Sequence, residues 1–115
     1  GAEINLQNSN GLTALMYAAL EGYERVVEVL LQHSADVNLQ SSYGSTALIN
    51  ALNHPAVIRQ LLAAGADTTT RCAGRHTALT YAAGKGQERA VDTLIRHGAA
   101  IDLQNGNGHT ALIIA

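Results

Sequence analysis

The sequence predicts an all-α protein built from stacked helical repeats. The first observation behind this is a recurring triplet. Thr-Ala-Leu stands at Thr13-Ala14-Leu15, Thr46-Ala47-Leu48, Thr77-Ala78-Leu79 and Thr110-Ala111-Leu112, with threonine spacings of 33, 31 and 33 residues. A fixed period in this range marks a solenoid, in which each unit buries its apolar face against its neighbour. The second observation is apolar spacing. Val26, Val27, Val29, Leu30 and Leu31 recur as Val57, Ile58, Leu61 and Leu62, and again as Val91, Leu94 and Ile95. That pattern gives a broad stripe along one side of a helix. The third is punctuation, with Gly22 and Gly86 between the helical segments and Gly65 and Gly98 after them.

Each element follows from these signals. Threonine occupies the position of a helix N-cap, where its hydroxyl can accept from an otherwise unpaired backbone N–H. The first helix of a unit, as from Thr13 to Glu21, carries small alanines (Ala18, Ala19; Ala82, Ala83) that let neighbouring helices approach closely. Gly22 and Gly86 stand where that helix must reverse. Gly tolerates the positive φ such a reversal needs. The apolar stripe then forms a second helix, antiparallel to the first. The stretch leading to the next threonine is rich in Asn, Ser, Gly and Thr, which predicts an extended loop with a tight turn.

The boundaries place one domain over residues 1–115: a partial repeat at 1–10, repeats at 11–43, 44–74 and 75–107, and a partial repeat at 108–115. The second repeat is two residues short, because LEGYE of the first becomes NHP. Pro55 suits the first turn of the following helix, where its missing N–H costs nothing. The shortening reads as a tolerated loop deletion, with a dent at Asn53 and His54 as the functional alternative. Neither end carries a polar-faced capping helix. Leu15, Ala18 and the apolar side of Val26 to Leu31 are expected to be uncovered at one end, and Ile113 and Ile114 at the other. This predicts a segment of a longer array, or end-to-end self-association.

The order Gly-x-Thr-x-Leu, Ala-Ala, Gly, Val-Val-x-x-Leu-Leu, Gly-Ala-Asp resembles the ankyrin repeat, over essentially all 115 residues. The resemblance implies an all-α, ankyrin-type helical repeat solenoid with β-turn or hairpin loops. The family's Thr-Pro-Leu-His is here Thr-Ala-Leu followed by Met16, Ile49, Thr80 or Ile113. Both the proline at the first helical position and the histidine that ties loop to helix are therefore missing. Asn38, with Leu30, Asp36 and Val37 upstream, resembles the loop asparagine that hydroxylases modify in this family. A structural turn asparagine is the first reading of it.

Composition fits a soluble intracellular module. The chain carries a net charge of −2 with no basic cluster, so it shows no footprint of nucleic-acid or membrane binding. Cys72 is the one cysteine, compatible with a reducing compartment and a cytoplasmic or nuclear location. Cys72 and His76 are too few for a zinc site and lack an orienting acid for nucleophilic chemistry. They read as a turn residue and an exposed loop residue. His33 and His97 suit helix C-termini through the helix dipole. Gly84-Lys85-Gly86 lacks the rest of a phosphate loop. No cofactor, metal or catalytic residue is expected.

What remains is surface. The resemblance implies a partner protein docked on the concave face, made by the turn tips and the exposed side of the first helices. Alignment carries this onto Asn10, Leu12, Ser42, Tyr43, Ser45, Gly74, His76, Asn107 and His109 at the tips. From the ends of the first helices come Leu20, Glu21, Asn53 and Lys85. Tyr43 is of the aromatic type enriched at interface hot spots. The opposite helices carry Glu24, Arg25, Glu28, Arg59, Glu88, Arg89, Asp92 and Arg96, a mixed-charge solvated face. The function this predicts is protein–protein recognition. An architectural spacer within a longer solenoid is the alternative.

Overall fold

A computed structural model describes residues 2–97. Asn107, His109, Gly98, Ile113, Ile114 and the fourth threonine lie outside them. A 3-10 turn, Ala2–Asn5, precedes three helix pairs: α1 (Ala14–Glu21) with α2 (Glu24–Gln32), α3 (Ala47–Asn50) with α4 (Pro55–Ala63), and α5 (Ala78–Gly84) with α6 (Glu88–Arg96). A second 3-10 turn, Ala73–Arg75, precedes α5. Among the described residues no strand forms. Helices α1, α3 and α5 pack side by side as one layer, and α2, α4 and α6 as another.

The inner helices begin where the threonines stand. Thr13, Thr46 and Thr77 are each buried, extended N-caps whose side chains accept from the backbone N–H of Met16, Ile49 and Thr80. Each thus satisfies one orphan donor of its helix. The third corner has more. Thr80 returns a hydrogen bond from the Thr77 N–H at 2.9 Å, completing a capping box with threonine in place of the usual acid. The outer helices start without a side-chain cap, at Tyr23, His54 and Gln87.

The core is aliphatic and runs continuously through the stack. Leu15, Met16, Leu48, Ile58, Leu61, Leu79 and Leu94 are its largest fully buried side chains. Ala19, Ala51 and Ala82 are shut from solvent between the layers, where only a small side chain lets helices meet so closely. Leu15 and Ala18, expected to be uncovered, are in fact buried at 2% and 4% exposure. Their own repeat and α3 cover them. Of the stretch from Val26 to Leu31, Val26 and Val29 are exposed as expected, Leu30 and Leu31 are half-buried and Val27 is buried; Ala14, Tyr17 and Tyr23 complete the first repeat's exposed edge.

Polar ties join the repeats along the loops. Asn5 Oδ1 accepts from the Asp36 N–H at 2.8 Å, and Asn38 Oδ1 accepts from the Asp67 N–H at 2.7 Å. Each aspartate in turn accepts from the N–H two residues on, at Asn38 and Thr69. Gln7 and Gln40 do the same one layer further, each donating to its own turn and to the next repeat's loop, at Gln40 O and Arg71 O.

Candidate functional site

The three turn tips share one hydrogen-bonded frame. Asn8 N–H donates to Leu12 O, Ser41 N–H to Ser45 O and Cys72 N–H to His76 O, at 3.0, 2.8 and 2.8 Å. The middle tip is braced by Ser41 Oγ, which accepts from the N–H of Tyr43 and of Ser45. It is tied to the first by Ser42 N–H donating to Asn10 O at 2.9 Å. A rigid frame in this form holds the tip side chains in a row beside α1, α3 and α5. Tyr43 projects from it at 68% exposure.

The second repeat departs from its neighbours. Its inner helix has four residues, against eight in α1 and seven in α5. The short link that follows reaches both ways. His54 Nε2 donates to Leu20 O at 3.1 Å, and its ring covers Gly22, where φ is 76° and a Cβ would collide with the imidazole. Asn53 Oδ1 accepts from Gln87 Nε2 of the third repeat. The missing turn leaves a recess of about 190 Å³ facing the turn tips, lined by Leu20, Ser45, Ile49, Asn50, Asn53 and Lys85 among others. The recess lies beside the shortened link, with Asn53 but not His54 in its lining.

One wall of the recess is aromatic and charged. Tyr81 meets His76 edge-on with ring centroids 6.0 Å apart, and the Lys85 ammonium stands 4.8 Å from the centre of the Tyr81 ring. A cation over an aromatic face is held by the ring quadrupole. His76 is half-buried rather than an exposed loop residue, because it also shares a hydrogen bond with Thr80 Oγ1 at 3.3 Å. It thereby ties loop to helix in the third repeat from a position ahead of the threonine.

The residues singled out from sequence divide accordingly. Leu20, Ser45, Asn53 and Lys85 meet at the recess, and Tyr43, Ser42 and Asn10 line the tips beside it. Leu12 is half-buried against the core, so little of it is left to a partner. Glu21 lies apart, with Tyr17, Tyr23 and Val26 on the first repeat's edge. Gly74 is exposed at the third tip. Asn38 is exposed, but its carbonyl oxygen is occupied by the bond to Asp67. Sequence reasoning missed Asn50, Tyr81 and Gln87. The i, i+4 spacing of Tyr81 and Lys85 was the one signal available for them.

The described residues offer little else for chemistry. Burial pushes the Cys72 thiol above its ordinary pKa, which makes its nucleophilic thiolate scarce at neutral pH. Among the described residues, no three His, Cys, Asp or Glu side chains gather as a metal site. None of the described helices is long and apolar enough to cross a membrane.

Three capped helix pairs in register, with braced tips along one side, define a helical repeat solenoid. The family description "Ankyrin repeats (3 copies)" matches residues 1–72 and 53–115. The chain belongs to the ankyrin repeat family. It is 39% identical over 111 residues to mouse ankyrin repeat and SOCS box protein 16, covering 88% of this chain and 24% of that protein. It is 38% identical to the Caenorhabditis elegans ankyrin repeat and KH domain-containing protein mask-1, covering 93% of this chain and 4% of that protein. It is 32% identical to the mouse B-cell lymphoma 3 protein homolog, covering 98% and 26%. The chain therefore spans about a quarter or less of the length of these relatives. Ankyrin repeats are in general protein–protein interaction modules without catalytic activity.

Proposed function

We propose that this chain is a non-enzymatic recognition module that binds a partner protein through its concave face, the strip of turn tips and inner helices around Tyr43. The observation that carries the reading is the braced middle tip. The Tyr43 and Ser45 N–H groups both donate to Ser41 Oγ and fix the backbone that presents Tyr43, so a large amphipathic side chain is displayed from a tip with little backbone entropy left to lose. The outer helices expose mixed charge, such as Arg25, Glu28, Arg59 and Arg89, which contributes little to binding, beside a few scattered apolar residues, Val26, Val29 and Ile95.

Affinity capture followed by calorimetry tests this. Tyr43→Ala should weaken any captured complex by more than ~2 kcal/mol, as a central aromatic does, with Leu20→Ala costing less. Glu24→Ala and Arg89→Ala should leave affinity unchanged, and all four variants should melt like the parent. Loss of binding through the outer-helix changes, with Tyr43→Ala intact, would overturn the assignment. A spacer role within a longer solenoid is the second reading. The apolar edge at Ala14, Tyr23 and Val26 favours it, since its counterparts in the other repeats meet a neighbour.

A further inference from the structure

The recess beside α3 has a composition that the concave-face reading leaves unused. One side of it is aliphatic, from Leu20, Ile49 and Leu52, opposite the wall of Tyr81 and Lys85. Its hydroxyl and amide side chains offer both donors and acceptors, the Gln87 Oε1 acceptor being buried without a partner among the described residues, and its one charge is a cation. Lys85 carries a cation, and Ser45 Oγ–H and the Asn50 amide enter no hydrogen bond among the described residues. The bond from Gln87 takes Asn53 Oδ1 as acceptor and leaves the Asn53 amide protons unspent. No aspartate or glutamate lines the recess. No carboxylate among the described residues pairs with Lys85 either, the two ion pairs found there being Arg25–Glu28 and Arg96–Asp92 on the outer helices. Tyr81 holds the ammonium in place over its ring.

A cleft with an aliphatic side, free amide and hydroxyl donors and a single positioned cation as its only charge complements a side chain with a short apolar stem and an anionic end. We propose that this recess receives a glutamate or aspartate side chain of the partner's docking segment. The inference rests on the concave-face reading and sharpens it from a general surface to an acid-specific pocket. The stem packs on Leu20 and Leu52, and the carboxylate accepts from Lys85 and from the Asn50 or Asn53 amide. The specificity comes from this chain's own two-residue shortening, since a full-length α3 would continue into the space. It also explains why a cation stands at Lys85 while the corresponding end of α1 carries Glu21.

A displayed library of random linear peptides, selected against the intact chain, provides the test. Selected peptides should share Asp or Glu at one fixed position. Lys85→Met should weaken them about tenfold, the loss expected for a charge-assisted hydrogen bond. Lys85→Glu should abolish their binding and redirect selection towards Lys or Arg at the same position. Circular dichroism of each variant should match the parent, because the Lys85 side chain is exposed. Peptides with no acidic position, peptides that require a phosphate instead, no enrichment at all, or affinities indifferent to Lys85 would each overturn the pocket. Tyr43→Ala separates the two readings. If it weakens selected peptides that ignore Lys85, the concave face stands and the acid pocket falls. If peptides depend on Arg59 or Arg89 and not on Tyr43, the concave-face reading itself fails.

Discussion

The first repeat and its two successors place closely related residues in different surroundings. Val26 is 46% exposed, while Val57 and Ala90, which align with it, are at 0% and 1%. Ala14 is exposed, while Ala47 and Ala78 are buried. Leu30 is half-buried, while Leu61 and Leu94 are fully buried. The residue type hardly changes along these series. What changes is the presence of a preceding repeat. Burial in a solenoid is thus a property of the interface, and stability accumulates as unit terms plus neighbour terms.

The sharpest way to break this comparison is to truncate aligned leucines. Leu61→Ala should cost about 2–5 kcal/mol, the range for emptying a closed core site, and Leu30→Ala clearly less. Equal losses in urea denaturation would show that the neighbour does not matter. Helix caps come next. Thr77→Ala should cost up to about 2 kcal/mol, because it breaks a reciprocal box, against about 1 kcal/mol for the single cap lost in Thr13→Ala. Thr80→Val, which keeps shape but removes the hydroxyl, should bring the third repeat's cap down to the strength of the first. Thermal melts read both.

A smaller effect, of opposite sign, is expected at the end of α2. Ser34 adopts φ 67°, the left-handed region, where the second repeat has Gly65 at φ 92°. Ser34→Gly should therefore stabilise the chain by up to about 1 kcal/mol, the cost of a β-carbon in that region. The smallest effect concerns Asp67. The Thr69 side chain and N–H hold its carboxyl below the ordinary carboxylate range. A depressed folded pKa adds stability that is complete above the unfolded value of about 3.9 and is lost as pH falls through the folded one. Asp67→Asn should therefore melt slightly lower than the parent at neutral pH and converge with it at acid pH, which gives a slightly weaker acid dependence of melting in that window.

Local features were legible in the sequence because their causes are local. The threonine caps, the reversal at Gly22 and the apolar stripes all depend on residues within a few positions. Features made by neighbours were harder to read. Leu15 and Ala18 look uncovered from their order in the chain, yet α3 and their own repeat bury them. His76 looks like an exposed loop residue until Tyr81 and Thr80 are placed against it. The shortening at Asn53 was visible as a gap in an alignment, but its consequence is a cavity walled by residues from all three repeats. Asn50, Tyr81 and Gln87 became candidates only when the stack brought them together. No pattern in the sequence separates Glu21, on the outer edge, from Lys85, at the recess, although both end an inner helix.

The measurement that tests the recognition surface most directly is a nuclear magnetic resonance titration of the isotope-labelled chain with a library-selected peptide. The account predicts amide shifts concentrated at Tyr43, Ser45, Asn53 and Lys85, with Glu24, Arg59 and Arg89 unmoved. Shifts confined to the outer helices, with the turn tips and the recess silent, would contradict it.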